Sequence, residues 1–334
     1  MSRMRVLSLL VFSVCTGCAG AQSPLDPAGA QAHIVFSLLG LMTWVCGGMY
    51  LAVLVFLGWG ILRARHRIQG PPTVEPADIG LNRSLKLWAA IVVAGLTVLI
   101  TASFFAERSL ASARSRQAMV VRVTGHQWWW RIQYRDPATG QWIETANELH
   151  LPVDATARIE LGSADVIHSF WVPNVAGKMD VIPGRSNTIF VTPRRIGWFR
   201  GQCAEFCGAQ HAHMAFDVKV ETPAAFATWL KGQASPAAPP GDAVSQRGMD
   251  IVNSGQCAMC HVVRGGAAAG RAGPDLTHVG ARRSVAAGTL PMSRGALQGW
   301  IAQPQALKPG TMMPAVALAP ADADAVSRYL LSLK

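Results

Sequence analysis

The sequence predicts a multidomain chain of three parts: a two-helix transmembrane hairpin, a β-sandwich or barrel, and a small all-α domain. Three observations predict it. Two long apolar runs lie in the first third of the chain, and short segments rich in β-branched and aromatic residues fill the span from about 119 to 221. Helix-period patterns then replace alternation after the Pro-rich stretch 231–241. A length of 334 residues suits two or three ordinary domains. The mean hydropathy is positive, which places part of the chain in a membrane.

The opening MSRMRVLSLLVFSVCTGC, residues 1–18, runs from basic to apolar to small residues, as an export signal does. Thr16-Gly17-Cys18 resembles the end of a bacterial lipoprotein box, although Cys15 stands where such signals usually carry Leu. Lipidation of Cys18 and plain cleavage after a small residue both stay open. The run 34–62 exceeds the roughly 20 apolar residues that span a bilayer. Arg63, Arg65 and Arg67 follow it, and no Lys or Arg lies between Cys18 and His33, so the N-terminus is expected outside. The second run, 87–105, returns the chain to the outer side. Arg108, Arg114 and Arg116 behind it weaken the charge rule, so the topology rests on the export signal and the hairpin together.

Segments MVVRVTGHQWWWRIQY, WIETANELHL, ATARIELGS, SNTIFVTP and MAFDVKVE within 119–221 are separated by turn residues, the pattern of a β-sandwich or barrel. Alternation would put Trp128 and Trp130 on one strand face and Trp129 on the other. KGQASPAAPPG, 231–241, reads as a linker. The domain 242–334 carries amphipathic patterns at Ala243–Ile251, Ser293–Ala302 and Asp322–Leu333. It is too small to bury a large core unaided and needs something to fold around. The formal net charge of +11 favours anionic lipid or acidic partners, and no recognition motif supports nucleic acid.

Two constellations carry chemistry. CAEFCGAQHAHM gathers Cys203, Cys207, His211 and Met214, and VIHSFWVP adds His168. Two thiolates, two imidazoles and a thioether favour copper, since soft sulfur suits Cu(I). A Cys2His2 zinc site that leaves Met214 idle, or a 203–207 disulfide, are the rivals. CAMCH sets Cys257, Cys260 and His261 at the spacing of covalent haem c attachment. Met312 and Met313 in KPGTMMPAVAL offer a sixth iron ligand, and a His–Met pair suits an electron carrier.

The order HSFWVP, GKMDVIPGR, GQCAEFCGAQHAHM resembles the dicopper (CuA) domain of cytochrome c oxidase subunit II, from the membrane hairpin to about residue 221. CAMCH, the loop GPDL and the Met loop resemble a fused class I cytochrome c domain. The resemblance implies a cupredoxin-like sandwich whose Cys203 and Cys207 bridge two copper ions. His168 and His211 would bind one ion each, and Met214 and the Glu205 backbone carbonyl would be further ligands. It implies a magnesium ion at the Glu205 side chain, shared with subunit I, with Asp180 near it unless that acid merely pairs with Lys178 or Arg185. Trp128 matches the surface aromatic through which electrons reach the copper centre, and His213 is a spare imidazole. In the cytochrome, Met313, directly before Pro314, matches the axial ligand, with Met312 as runner-up, and the Pro274 carbonyl would orient His261.

The implied function is relay of electrons from haem c to the dicopper centre and on to subunit I, where oxygen is reduced to water and protons are pumped. Implied partners are subunit I, other membrane subunits, and cytochrome c or a quinol–cytochrome c reductase as donor. The implied location is a bacterial cell membrane, multi-pass, with both metal domains on the periplasmic side. Where relatives often carry a proton-uptake Glu before a Trp, this chain has Leu85 before Trp88. A nitric oxide reductase subunit and a membrane-anchored copper-binding or copper-delivery protein are the alternatives. A quinol oxidase subunit is disfavoured by the complete copper ligand set.

Overall fold

The computed structural model describes residues 19–67, 79–112 and 118–334. The export signal, Cys18, Arg114 and Arg116 lie outside the described residues. The two apolar runs form helices longer than the runs themselves, α1 (Ala30–Arg67) and α2 (Ile79–Ser112). Both are long and apolar enough to cross a membrane, and their most apolar windows bury nothing within the chain. Faces that apolar and that bare need lipid or partner helices around them.

The β-region folds as two five-stranded sheets, ordered β3-β2-β1-β5-β8 and β4-β10-β9-β6-β7. The first contains β1 (Met119–His126), β2 (Trp129–Arg135), β3 (Trp142–Ala146), β5 (Ala157–Ser163) and β8 (Asn187–Val191). The second contains β4 (Glu148–Pro152), β6 (His168–Trp171), β7 (Met179–Val181), β9 (Gly197–Cys203) and β10 (Ala215–Glu221). Alternation along β2 buries Trp130, Ile132 and Tyr134 completely. Trp130 meets Phe216 and Phe170 edge-on at ring distances of 5.6 and 6.1 Å, which ties the inner faces together.

Three features depart from the sequence reading. Trp128 sits in the turn joining β1 to β2, where strand alternation no longer applies, so it does not share a strand face with Trp130. WIETANELHL is two strands in different sheets, because Asn147 turns the chain with φ 58° and its side-chain Oδ1 accepts from the Trp130 N–H. The first four residues of the expected linker belong to a helix, α3 (Pro223–Ala234), capped by Thr222 with Pro at its start. Its Trp229 stacks on His150 at 3.8 Å, so α3 closes the sandwich and cannot act as a flexible spacer.

The last domain is helical: α4 (Ala243–Ser254), α5 (Cys257–Cys260), α6 (Arg294–Ala302), α7 (Pro304–Leu307) and α8 (Pro320–Ser332). Asp242 and Ser293 cap α4 and α6 with their side chains. α4 and α8 cross at Gly248, where a Cβ would lie 2.1 Å from the Ala325 carbonyl oxygen. Val252, Leu297, Tyr329 and Leu330 form the small core around that crossing.

Candidate metal and haem sites

Strand ends assemble the first site. β9 ends on Cys203, β10 begins just after Met214, a short 3-10 turn at His211–His213 lies between them, and β6 opens with His168. Cys203 Sγ lies 3.7 Å from Cys207 Sγ, 3.9 Å from His168 Nδ1 and 3.2 Å from the Glu205 carbonyl oxygen. Cys207 Sγ lies 3.7 Å from His211 Nδ1 and 3.8 Å from Met214 Sδ. Both cysteines are free thiols. His168, Cys203, Cys207 and Met214 are buried. A hydrogen bond from Cys207 lowers the Cys203 pKa, while the same contact and burial push the Cys207 thiol up.

This is the chemistry of a copper-holding set, with a buried sulfur pair flanked by two imidazoles, a thioether and a carbonyl. His168 Nε2 lies 2.8 Å from Asp165 Oδ1, so an Nε2–H can donate to the carboxylate and leave the Nδ1 lone pair on the sulfur side. Asp165 also accepts from the Gln127 and Val166 N–H groups at 2.7 Å each. Gly125 makes room for the ring, since a Cβ there would lie 2.7 Å from His168 Cδ2.

The second site is a cavity of about 450 Å³ lined by Cys257, Cys260, His261, Leu297, Trp300 and Met313. His261 Nδ1 lies 2.7 Å from the Pro274 carbonyl, an acceptor that fixes the Nδ1–H tautomer and leaves Nε2 unprotonated. Burial holds His261 below the ordinary imidazole range, so it is neutral and suited to a metal. Met313 packs with the domain core, whereas Met312 is 85% exposed. The lining also includes Arg282 and, from the β-domain, His126, Trp128 and Trp129. Arg282 Nε and His126 Nε2 are buried without hydrogen-bond partners among the described residues. Apolar walls, two thiols, a neutral imidazole, a thioether and a guanidinium whose Nη2 is held by the Asp275 carbonyl while its Nε stays free fit a haem with its carboxylates.

The two sites meet at Trp128. Its ring lines the cavity, and its Nε1–H donates to the Cys207 carbonyl at 2.9 Å. It is 8% exposed, with Gly208 of the β-domain and Gly310 of the helical domain lying against it. The other predicted site residues fall nearby or at the surface. Glu205 is exposed, with Oε1 accepting from the Phe206 N–H. Asp180 is exposed on β7, and His213 is exposed beside Gln210. Leu85 is 59% exposed on α2. Sequence reasoning missed Asp165, His126, Arg282 and Lys308. The D-x-x-H spacing of Asp165 to His168 was the available signal for the first.

A buried copper-type sulfur cluster beside a haem-sized pocket, in a chain that also carries two membrane-length helices, defines a membrane-anchored redox protein. Residues 136–221 match the family described as cytochrome c oxidase subunit II, periplasmic domain, and residues 245–334 match cytochrome c. The cytochrome c oxidase subunit 2 of Alkalihalophilus pseudofirmus is 32% identical over 342 residues, covering 100% of this chain and 97% of the relative. That of Bacillus subtilis is 30% identical over 353 residues, covering 99% and 98%. The solved periplasmic domain of subunit II of cytochrome oxidase from Bradyrhizobium japonicum is 32% identical over 35% of this chain and 93% of that one, with a TM-score of 0.33. The chain belongs to the cytochrome c oxidase subunit 2 family, in the form that carries a cytochrome c domain on the same chain. It is thereby a subunit of a haem–copper oxidase, with copper attributed to its sandwich and haem to its helical domain.

Proposed function

We propose that this chain relays electrons from a covalent haem c to a dicopper centre and on to subunit I, where oxygen is reduced to water and protons are pumped. When bound, each group accepts and releases one electron. Cys203 and Cys207 would hold two copper ions between them, with His168, His211, Met214 and the Glu205 carbonyl completing the cage. A cage fixed by two strands and a short turn changes little between redox states, which keeps reorganisation small. Cys257 and Cys260 would anchor the porphyrin, His261 and Met313 would face the iron, and Arg282 would take up carboxylate charge.

The observation that carries this reading is Trp128, which lines the haem cavity while donating to the carbonyl of Cys207. A copper-delivery protein would need accessible thiols, and Cys203 and Cys207 are only 4% and 3% exposed. The exposed Glu205 side chain is available for magnesium at the face towards subunit I. The two apolar helices would anchor the chain in a bacterial membrane with both metal domains on the periplasmic side. The external donor would be cytochrome c or a quinol–cytochrome c reductase.

Metal analysis and electron-spin spectra of the purified full chain test the reading. Copper and iron in a two-to-one ratio, a seven-line copper pattern and a low-spin c-type haem are expected. Zinc at the sulfur site, or a 203–207 disulfide after copper loading, would overturn it.

A further inference from the structure

The loop 308–310, three residues ahead of Met313, carries a deeply buried contact between the helical domain and the β-domain. Lys308 is 2% exposed and extends its ammonium into the β-domain. Its Nζ donates to the carbonyls of Trp128 at 2.7 Å, His213 at 2.8 Å and Ala286 at 3.1 Å. An ammonium has three protons, and here each meets a carbonyl. The three carbonyls belong to the turn that carries Trp128, the loop between His211 and Met214, and the helical domain itself. Burial pulls the Lys308 pKa down to about 7, opposed by the nearby Cys207; three carbonyl oxygens aimed at the nitrogen also favour the charged form.

Neighbouring residues extend the same seam. Pro309 accepts from Gln210 Nε2 at 2.8 Å, and Gly310, with φ 85°, lies against the Trp128 ring. On the other side, Ala286 and Ala287 both adopt positive φ, which aims the Ala286 carbonyl at Lys308 and the Ala287 carbonyl at the Ala215 N–H, 3.1 Å away. Gly288 accepts from both terminal nitrogens of Arg200 at 3.2 Å. Ser284 Oγ donates to Asp217, and the Arg283 N–H donates to Glu148 at 2.8 Å. A buried cation with no carboxylate beside it is a costly group to place at a seam unless it fixes geometry.

We propose that Lys308 is the positioning residue that locks the methionine loop onto Trp128 and the His211–Met214 loop. Electrons then reach the sulfur site only through the chain's own haem, and the Trp128 face is closed to a soluble donor. This rests on the relay reading above. Loss of Lys308 frees the methionine loop from Trp128 and the His211–Met214 loop, so that only a fraction of molecules is poised for transfer at any moment.

The test uses the holo chain in its oxidase complex. Haem c is reduced by a light flash from a ruthenium dye, and passage of the electron to copper is timed in wild type and K308M at several glycerol concentrations. The wild-type rate is expected to ignore viscosity. In K308M it falls about ten-fold or more as the docked fraction falls, and becomes viscosity-dependent, with the low-spin haem and seven-line copper spectra retained. An unchanged, viscosity-independent K308M rate overturns the proposal. Wild-type spectra lacking either centre would instead refute the relay reading.

Should K308M not accumulate, acetylation of wild type followed by mass spectrometry decides. Lys308 is expected to label about a hundred-fold more slowly than the exposed Lys231. Equal labelling overturns the lock.

Discussion

Replacing Asp165 by Ala removes the acceptor for three donors: His168 Nε2–H at 2.8 Å and the N–H groups of Gln127 and Val166 at 2.7 Å each. Val166 is 37% exposed and Gln127 half-buried, so water can replace the carboxylate at both. His168 is wholly buried, and its Nε2–H would be left without a partner. A hydrogen bond to a charged group contributes about 1.5–3 kcal/mol. Here it also fixes which ring nitrogen faces the sulfur pair, so the loss should appear mainly as copper affinity. At about 1.4 kcal/mol per factor of ten, the copper dissociation constant should rise roughly ten- to hundred-fold. Competition of the copper-loaded chain against a chelator measures this, with urea unfolding of the copper-free protein as the control for general damage. A D165A copper affinity within about two-fold of wild type would refute the claim that Asp165 orients His168.

Met313→Ala should abolish the sulfur-to-iron charge-transfer band of the oxidised haem, while Met312→Ala, at an 85% exposed side chain, should leave it; optical spectra decide, and the opposite result reassigns the ligand. Gly201→Ala would put a Cβ 2.1 Å from Phe216 Cζ, a ring stacked on Phe170 and edged by Trp130, and should destabilise the sandwich by about 1–3 kcal/mol in urea unfolding. His150 is buried, which lowers its pKa, but hydrogen bonds to Glu148 at 2.8 Å and Glu221 at 2.7 Å outweigh this and raise it. Its stabilisation is therefore fully present below the unfolded value of about 6.5 and is lost as pH rises through the higher folded value. The urea midpoint advantage of wild type over H150Q should shrink across that rise; a constant or growing advantage contradicts the imidazolium reading.

The copper-type cluster was legible because four of its five side chains fall within residues 203–214, a stretch set by one strand end and one turn. CAMCH was legible for the same reason, since attachment chemistry depends on local spacing. Trp128 was misplaced on a strand because alternation says nothing about where a hairpin turns. The split at Asn147 was equally hidden, as a single left-handed residue moves WIETANELHL between sheets without breaking its pattern. Strand β9 was missed as a strand because GWFRGQC carries two glycines and little alternation, though Gly201 is there to admit the Phe216 ring. Lys308, His126 and Arg282 could not be read locally. Each gains its role from a segment far along the chain, Lys308 from residues 180 and 95 positions away.

The proposed relay stands or falls on direct passage of an electron from the haem to the sulfur site through contacts within this chain. Time-resolved absorption after flash reduction of haem c in the purified full chain tests it most directly, with Trp128→Phe beside wild type. Haem oxidation and copper reduction are expected to proceed together without any soluble carrier, and W128F, which loses the hydrogen bond to Cys207, is expected to slow both while leaving both resting spectra intact. A haem that stays reduced beside oxidised copper, or copper reduced only when a soluble carrier is added, would contradict it.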